Sequence, residues 1–136
     1  MADSNAATAD QTEVEEVPGR IVAAWHAKDA DAFAATFTED GSMILPGDVY
    51  LTGRQRIRDF MAEAFSGPYR GTQVTGTPLA VKPLADDVVL VLTQGGVLAD
   101  GESEVPAANA IRASWLLRRV DGRWLITAYQ NTPIAA

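Results

Sequence analysis

At 136 residues, 47% of them hydrophobic and 21% charged, the chain has the size and composition of one soluble globular domain, long enough for a core and too short for two. A formal net charge of −7 argues against a nucleic-acid or anionic-membrane surface, and the absence of cysteine excludes disulfides, thiolate nucleophiles and thiolate metal sites. With one histidine, His26, a zinc or iron site would depend mostly on carboxylates, so neither a metal nor a cofactor is expected.

The N-terminal "MADSNAATADQTEVEE" lacks the basic start and apolar stretch of a secretion signal, and no apolar run approaches the ~20 residues of a membrane span, so a cytoplasmic protein is expected. Its acids (Asp3, Asp10, Glu13, Glu15, Glu16) predict a solvated, disordered tail over residues 1–15, followed by a single domain over 16–136. Pro18 suits the first turn of a helix, and "RIVAAWHAK" then places Ile21 and Trp25 on one stripe. "DADAFAATFTEDG" predicts a second helix, capped by Asp29 or Asp31, with Phe33 and Phe37 four apart and Gly41 after it. "SMIL" and "VYL" predict two short strands about a Pro-Gly-Asp turn.

"TGRQRIRDFMAEAFSG" is the clearest helix: Ile57, Phe60, Met61, Ala64 and Phe65 share one face, while Arg56, Asp59 and Glu63 point away. From Thr72 onward strands and turns take over. Pro78 and Pro83 make "TQVTGTPLAVKPL" an edge or bent strand. "DDVVLVLTQGGVL" is a β-branched run, "ADGESEVPAAN" a polar loop, and "AIRASWLLRR" with "RWLITAYQNT" a hairpin across "VDG". The predicted class is α+β: a strongly curved, mostly antiparallel sheet packed on three helices. "TQGGVLADG" is no phosphate loop, since it lacks the spacing and a following helix.

The run "RIVAAWHAKDADAFAATFTEDGSMILPGDVYLTG", continued by "IRDF", resembles the first half of the nuclear-transport-factor-2-like (NTF2-like) superfamily, which includes the SnoaL-like proteins. "FTEDGSMILPGDVYLTG", "FSGPYRGTQVTG" and the ending "GRWLITAYQNT" are similar to the SgcJ/EcaC group within it, over roughly residues 17 to 132. The resemblance implies a cone-shaped half-barrel with an apolar ligand-binding pocket at its open end, commonly a homodimer across the sheets. It also implies a setting in bacterial natural-product (antibiotic) biosynthesis, including clusters for enediyne polyketides, with a polyketide synthase as a candidate partner. The group carries an oxidoreductase label in general use, which no dinucleotide fingerprint, cysteine or metal cluster supports here.

In the ketosteroid-isomerase-like branch, the resemblance implies a carboxylate base just before the proline of the first strand and a tyrosine donor on helix 1. Aligned without gaps, those positions are Leu45 and Ile21, and the branch's later acid falls near Arg112 to Ser114. None of these residues is an acid or a phenol. The segment "TEDGSMILPGDVYLTG" tells the same story: two acids, then nothing able to move a proton until Asp48. A carboxylate whose pKa rises into the useful range must be buried, and every acid outside the tail is read into a turn, a helix end, the polar loop or an outward helix face. Asp40 and Asp48, at the mouth of the first hairpin, are the two that could lean inward.

The remaining candidates are neutral or cationic. His26 is the general-base candidate by its ordinary pKa, but it follows Trp25, and one of the two must face outward. Tyr50 and Tyr69 flank helix 3 at the expected rim. Trp25, Trp115, Trp124 and Tyr129 either line or fill the cone, with filling favoured for Trp25 and Trp124. Gln94, Asn109, Asn131 and Arg112 add amide and guanidinium groups, and alternation groups Arg112 with Ser114 and Leu116 against Ile111, Ala113 and Trp115. The Arg112 set is placed on the pocket side, where the guanidinium could hold an enolate or carboxylate oxygen, in preference to the convex side, where it would be a surface or dimer-interface charge.

Two readings follow. The first is a protein that binds an apolar polyketide-type ligand without acid-base carboxylates, with Trp25, Tyr50, Tyr69, Gln94, Asn109, Arg112, Ser114, Tyr129 and Asn131 as candidate contacts. The second is a cofactor-free cyclase, isomerase or dehydratase, rather than an oxidoreductase, using His26, Asp40 or Tyr50.

Overall fold

The computed structural model describes residues 2–135, with side chains from Asp10 onward. Helix α1 (Ala2–Ala27) carries Val14, Val17, Ile21 and Trp25 at steps of three and four, and all four are buried. This corrects the expected tail: residues 10–15 are helical, because the apolar stripe that begins at Ile21 extends back through Val17 and Val14 beneath the acids. Asp10 and Glu13 are engaged rather than solvated. Asp10 Oδ2 accepts from Arg119 Nη1 at 2.9 Å, and Glu13 Oε1 accepts from the Trp124 amide at 3.3 Å. Pro18 therefore lies inside the helix, where it removes one backbone donor, instead of opening it.

Helix α2 (Ala30–Ala35) is shorter than its periodicity suggests. Asp29 caps it, accepting from the Ala32 amide at 3.0 Å, but Phe37 already belongs to strand β1 (Phe37–Leu45). The sheet decides this. Phe37 pairs with Ile126 in parallel register, and the Ile126 amide donates to the Thr36 carbonyl at 2.9 Å. Glu39 and Asp40 consequently sit in a strand, both exposed, and not in a helix end.

Strand β2 (Val49–Thr52) follows the Pro-Gly-Asp turn, and helix α3 (Arg54–Ser66) buries Ile57, Met61, Ala64 and Phe65. Strands β3 (Gln73–Ala85), β4 (Val88–Leu98), β5 (Ala110–Val120) and β6 (Arg123–Pro133) complete one six-stranded sheet in the order β2-β1-β6-β5-β4-β3. All neighbours are antiparallel except β1 and β6. The two prolines of β3 lie on the sheet's edge, with register shifts beside each. The β5–β6 turn, Asp121-Gly122, has φ of 51° and 79°, the paired positive values that suit the twist of a two-residue hairpin.

The core lies between the three helices and the concave sheet face, with Trp25, Phe33 and Phe65 in edge and tilted contact at 5.5–6.4 Å. Among the described residues, no helix is long and apolar enough to cross a membrane.

Candidate functional site: an apolar cavity with a polar floor

Strand alternation assigns each side chain to one sheet face. On the concave face, one cross-strand row runs Val91, Trp115, Tyr129, Met43, and the next contains Thr93, Ala113 and Asn131. Over these rows the helices leave a cavity of about 290 Å³. Ile21 and Trp25 of α1, Phe33 of α2, and Phe60 and Met61 of α3 supply its roof. Among the described residues, its lining includes no Asp, Glu, His, Lys or Arg. Ile21 and Leu45, the positions where the isomerase-like branch would carry its phenol and carboxylate, both line this space as hydrocarbon.

Polar chemistry is confined to a few neutral groups. The Trp115 indole donates to Thr93 Oγ1 at 2.9 Å, and the Trp25 indole to Thr72 Oγ1 at 3.0 Å, so both tryptophans are satisfied. Asn131 Nδ2 donates to the Tyr129 hydroxyl at 2.9 Å, and the Tyr129 ring stands edge-on to Trp115 at 4.7 Å. Asn131 Oδ1 is buried without a partner. Leaving such an acceptor unpaired costs about 1–3 kcal/mol, so an orphan in a cavity wall marks a place where stability yields to another requirement. Burial pushes the Tyr129 hydroxyl up to about 12, against a lowering contribution from the Asn131 hydrogen bond, and burial also raises Tyr69. Both phenols therefore keep their protons near neutrality: they can donate hydrogen bonds but are poor bases.

The structure brings together Trp25, Tyr69, Asn109, Tyr129 and Asn131 in the cavity wall. Tyr50, Gln94, Arg112 and Ser114 fall on the convex face instead, in rows that include Leu92, Ser114, Gln130, Ile44, Tyr50 and Gln94, Arg112. The assignment of Arg112 to the pocket side is thus corrected. Ile111, Ala113, Trp115 and Leu117 form the larger apolar set of β5, and the concave face takes it. Arg112 donates to Gln94 Oε1 at 3.3 Å on the exposed side, and Tyr50 is 64% exposed. His26 is exposed, its Nδ1 3.0 Å from Gln73 Oε1, while its neighbour Trp25 turns inward. Asp40 is exposed and accepts from Thr38 Oγ1 at 2.9 Å, and Asp48 is exposed at φ 63° in the turn. Trp124 is a filler, 1% exposed and outside the cavity lining.

Sequence reasoning missed Thr93, Gly76, Gly95 and Gly96, which form the wall along β3 and β4. A Cβ on Gly95 would overlap the Thr75 carbonyl oxygen, so only glycine lets the two strands approach there. The signal was present: paired glycines inside a β-branched run mark a close backbone approach. A second depression, at the start of α3, is lined by charged groups, of which Asp31, Arg54 and Arg58 engage one another or the backbone. Arg58 meets Asp31 at 2.8 Å, and Arg54 donates to the Phe37 carbonyl at 2.7 Å. Among the described residues, no group of three His, Cys, Asp or Glu side chains could hold a metal.

A curved six-stranded sheet closed by three helices over an apolar cavity defines an NTF2-like fold, also called cystatin-like. The chain superposes on a cystatin-like domain of unknown function from Nostoc punctiforme with a TM-score of 0.87 at 26% identity, covering 95% of this chain and 80% of that one. An NTF2-like protein from Novosphingobium aromaticivorans gives 0.86 at 18% identity, over 99% and 88%. A ketosteroid isomerase-like protein from Erwinia carotovora atroseptica gives 0.73 at 19%, over 92% and 96%. The family model for the SnoaL-like domain matches residues 14–135, and the chain belongs to that family. Among curated proteins, none matches the sequence.

Proposed function

We propose that this SnoaL-like protein binds an apolar small molecule of the polyketide type, enediyne intermediates included, in bacterial natural-product biosynthesis, and that it holds or shapes its ligand rather than transferring protons through a carboxylate. One observation carries the reading: the cavity offers aromatic and aliphatic walls with a few neutral polar groups, while His26, Asp40 and Tyr50, the groups an enzyme reading would use, all lie outside its lining. A phenol can polarise a ligand carbonyl, but catalysis of isomerisation or cyclisation also needs a base to accept the proton, and the lining supplies none. The biosynthetic setting and the polyketide synthase partner rest on the resemblance of the motifs to the SgcJ/EcaC group, and a cytoplasmic location is part of the same proposal.

Native mass spectrometry of the protein taken from its producing organism tests this. The expected result is a retained neutral, largely hydrocarbon molecule, released on denaturation and converted by the protein to no product. Turnover of that molecule, abolished in a folded Asp40→Ala variant, would establish the enzyme reading instead.

A homodimer through the sheet belongs to the same proposal. Leu90, Leu92 and Leu116 are partly exposed on the convex face, flanked by Ile44 at 42% exposure, which supports a covered surface. Leu116→Glu is expected to halve the mass seen by light scattering; an unchanged monomeric mass in the parent would remove this element.

A further inference from the structure

We propose that Tyr129 and Asn131 together recognise one neutral group that both donates and accepts a hydrogen bond, a hydroxyl above all, on an otherwise apolar ligand. The inference deepens the binding reading and rests on it. Tyr129 and Asn131 are two apart on β6, so both side chains project from the concave face, and both line the cavity. Asn131 Nδ2 gives one of its two hydrogens to the Tyr129 oxygen at 2.9 Å. That bond leaves the Tyr129 hydrogen as a donor beside Asn131 Oδ1, the buried acceptor without a partner. Rotating the amide by 180° exchanges the roles without changing the sum: Tyr129 would donate to Oδ1, leaving Nδ2 to donate and the phenol oxygen to accept. In either arrangement the pair keeps at least one donor and one acceptor for a guest.

This sum selects among ligands. A hydroxyl satisfies both roles with a single oxygen. A ketone takes the donor and leaves the acceptor orphaned, and an alkane leaves both. A carboxylate would bring its charge against Asn131 Oδ1 with no cation in the lining to offset desolvation. The surroundings fix the rest of the molecule, since Trp115, Met43, Ala113 and Ile111 surround the pair with hydrocarbon and aromatic surface. The raised Tyr129 hydroxyl supports the geometry, because the donor is present throughout the physiological pH range.

Three probes with one bicyclic body separate the outcomes: 5-indanol, 5-methylindane and indane-5-carboxylate, measured by calorimetry with protein titrated into probe. The full chain is expected to bind 5-indanol about tenfold more tightly than 5-methylindane, the yield of one to two satisfied hydrogen bonds, with the carboxylate weakest. Tyr129→Phe, which keeps the ring against Trp115, and Asn131→Leu should each bring that ratio towards one while 5-methylindane still binds. A purely apolar cavity reverses the order, because desolvating a hydroxyl is unfavourable there. Equal or reversed affinities in the parent protein, or tightest binding of the carboxylate, overturn the assignment of the pair and leave the cavity's binding role standing. Binding of none of the three overturns both.

Discussion

The two ends of strand β6 use polar groups for opposite purposes. At its start, beside the β5–β6 turn, Asp10, Asp87, Arg119 and Trp124 satisfy one another. Arg119 bridges Asp10 at 2.9 Å and Asp87 at 2.7 Å while lying over the Trp124 ring at 5.5 Å, and the Trp124 indole reaches Asp10 Oδ1 at 3.4 Å. At its other end, seven residues on from Trp124, Asn131 buries an acceptor that nothing satisfies. The first end ties the N-terminal helix to the sheet. The second leaves hydrogen-bonding capacity unused inside a cavity, which a fold optimised for stability alone would not do. The same strand thus carries a clamp and a receptor.

The comparison can be broken most forcefully at the clamp. Trp124 is 1% exposed, and Trp124→Ala removes the ring that Arg119 and Asp10 enclose. We expect a loss of about 3–5 kcal/mol in urea unfolding, the range for a large aromatic deleted from a core. A loss under ~1 kcal/mol would mean that this end is not a stabilising unit. Next in size is an alkaline effect at the receptor. Tyr129 ionises near 10 when unfolded and at about 12 when folded. The folded state therefore holds this proton more tightly. Its contribution is complete below pH 10 and disappears as pH rises through 12, at about 1.4 kcal/mol per pH unit. Subtracting the unfolding free energy of Tyr129→Phe, measured in parallel, isolates that slope; a flat difference from pH 10 to 12 would show that the hydroxyl is not buried.

Much of the fold was legible in the chain because local and global signals agreed. Helix α3 has an uninterrupted 3.6-residue stripe from Ile57 to Phe65, the prolines of β3 exclude it from the sheet interior, and Asp121-Gly122 permits only a tight hairpin. The errors fall where tertiary pairing overrode local pattern. Phe37 continues the helical spacing of Phe33, but pairing with Ile126 draws it into β1, and the rings still stack at 5.8 Å. Val14 and Val17 were hidden among acids that mask a core stripe. The faces of β5 were ambiguous because Leu116 and Leu117 put one leucine on each side, so the set Ile111, Ala113 and Trp115 had to separate wall from exterior. The cavity's Tyr129 and Asn131 could be nominated from alternation in β6. Their mutual hydrogen bond and the orphaned oxygen could not, since these depend on the rows contributed by β4 and β5.

Smaller tests sharpen the contrast. Tyr129→Phe combined with Asn131→Leu removes the unpaired acceptor and the Asn131–Tyr129 hydrogen bond together, so the receptor end should gain up to about 1 kcal/mol, whereas substitution of the clamp only destabilises. A stability gain paired with loss of 5-indanol selectivity would be the signature of a site kept for binding. The smallest effect is predicted for His26. It is exposed, lies outside the cavity lining, and contacts Gln73 through one surface hydrogen bond. His26→Ala should shift stability by no more than roughly 0.5 kcal/mol and leave probe affinities unchanged between pH 5 and 8. That null result has content, because His26 is the only histidine in the chain and the general-base candidate of the enzyme reading. If its removal altered binding or any turnover, a path would have to connect the outer face of α1 to the cavity, and the separation of receptor from surface on which the comparison depends would fail.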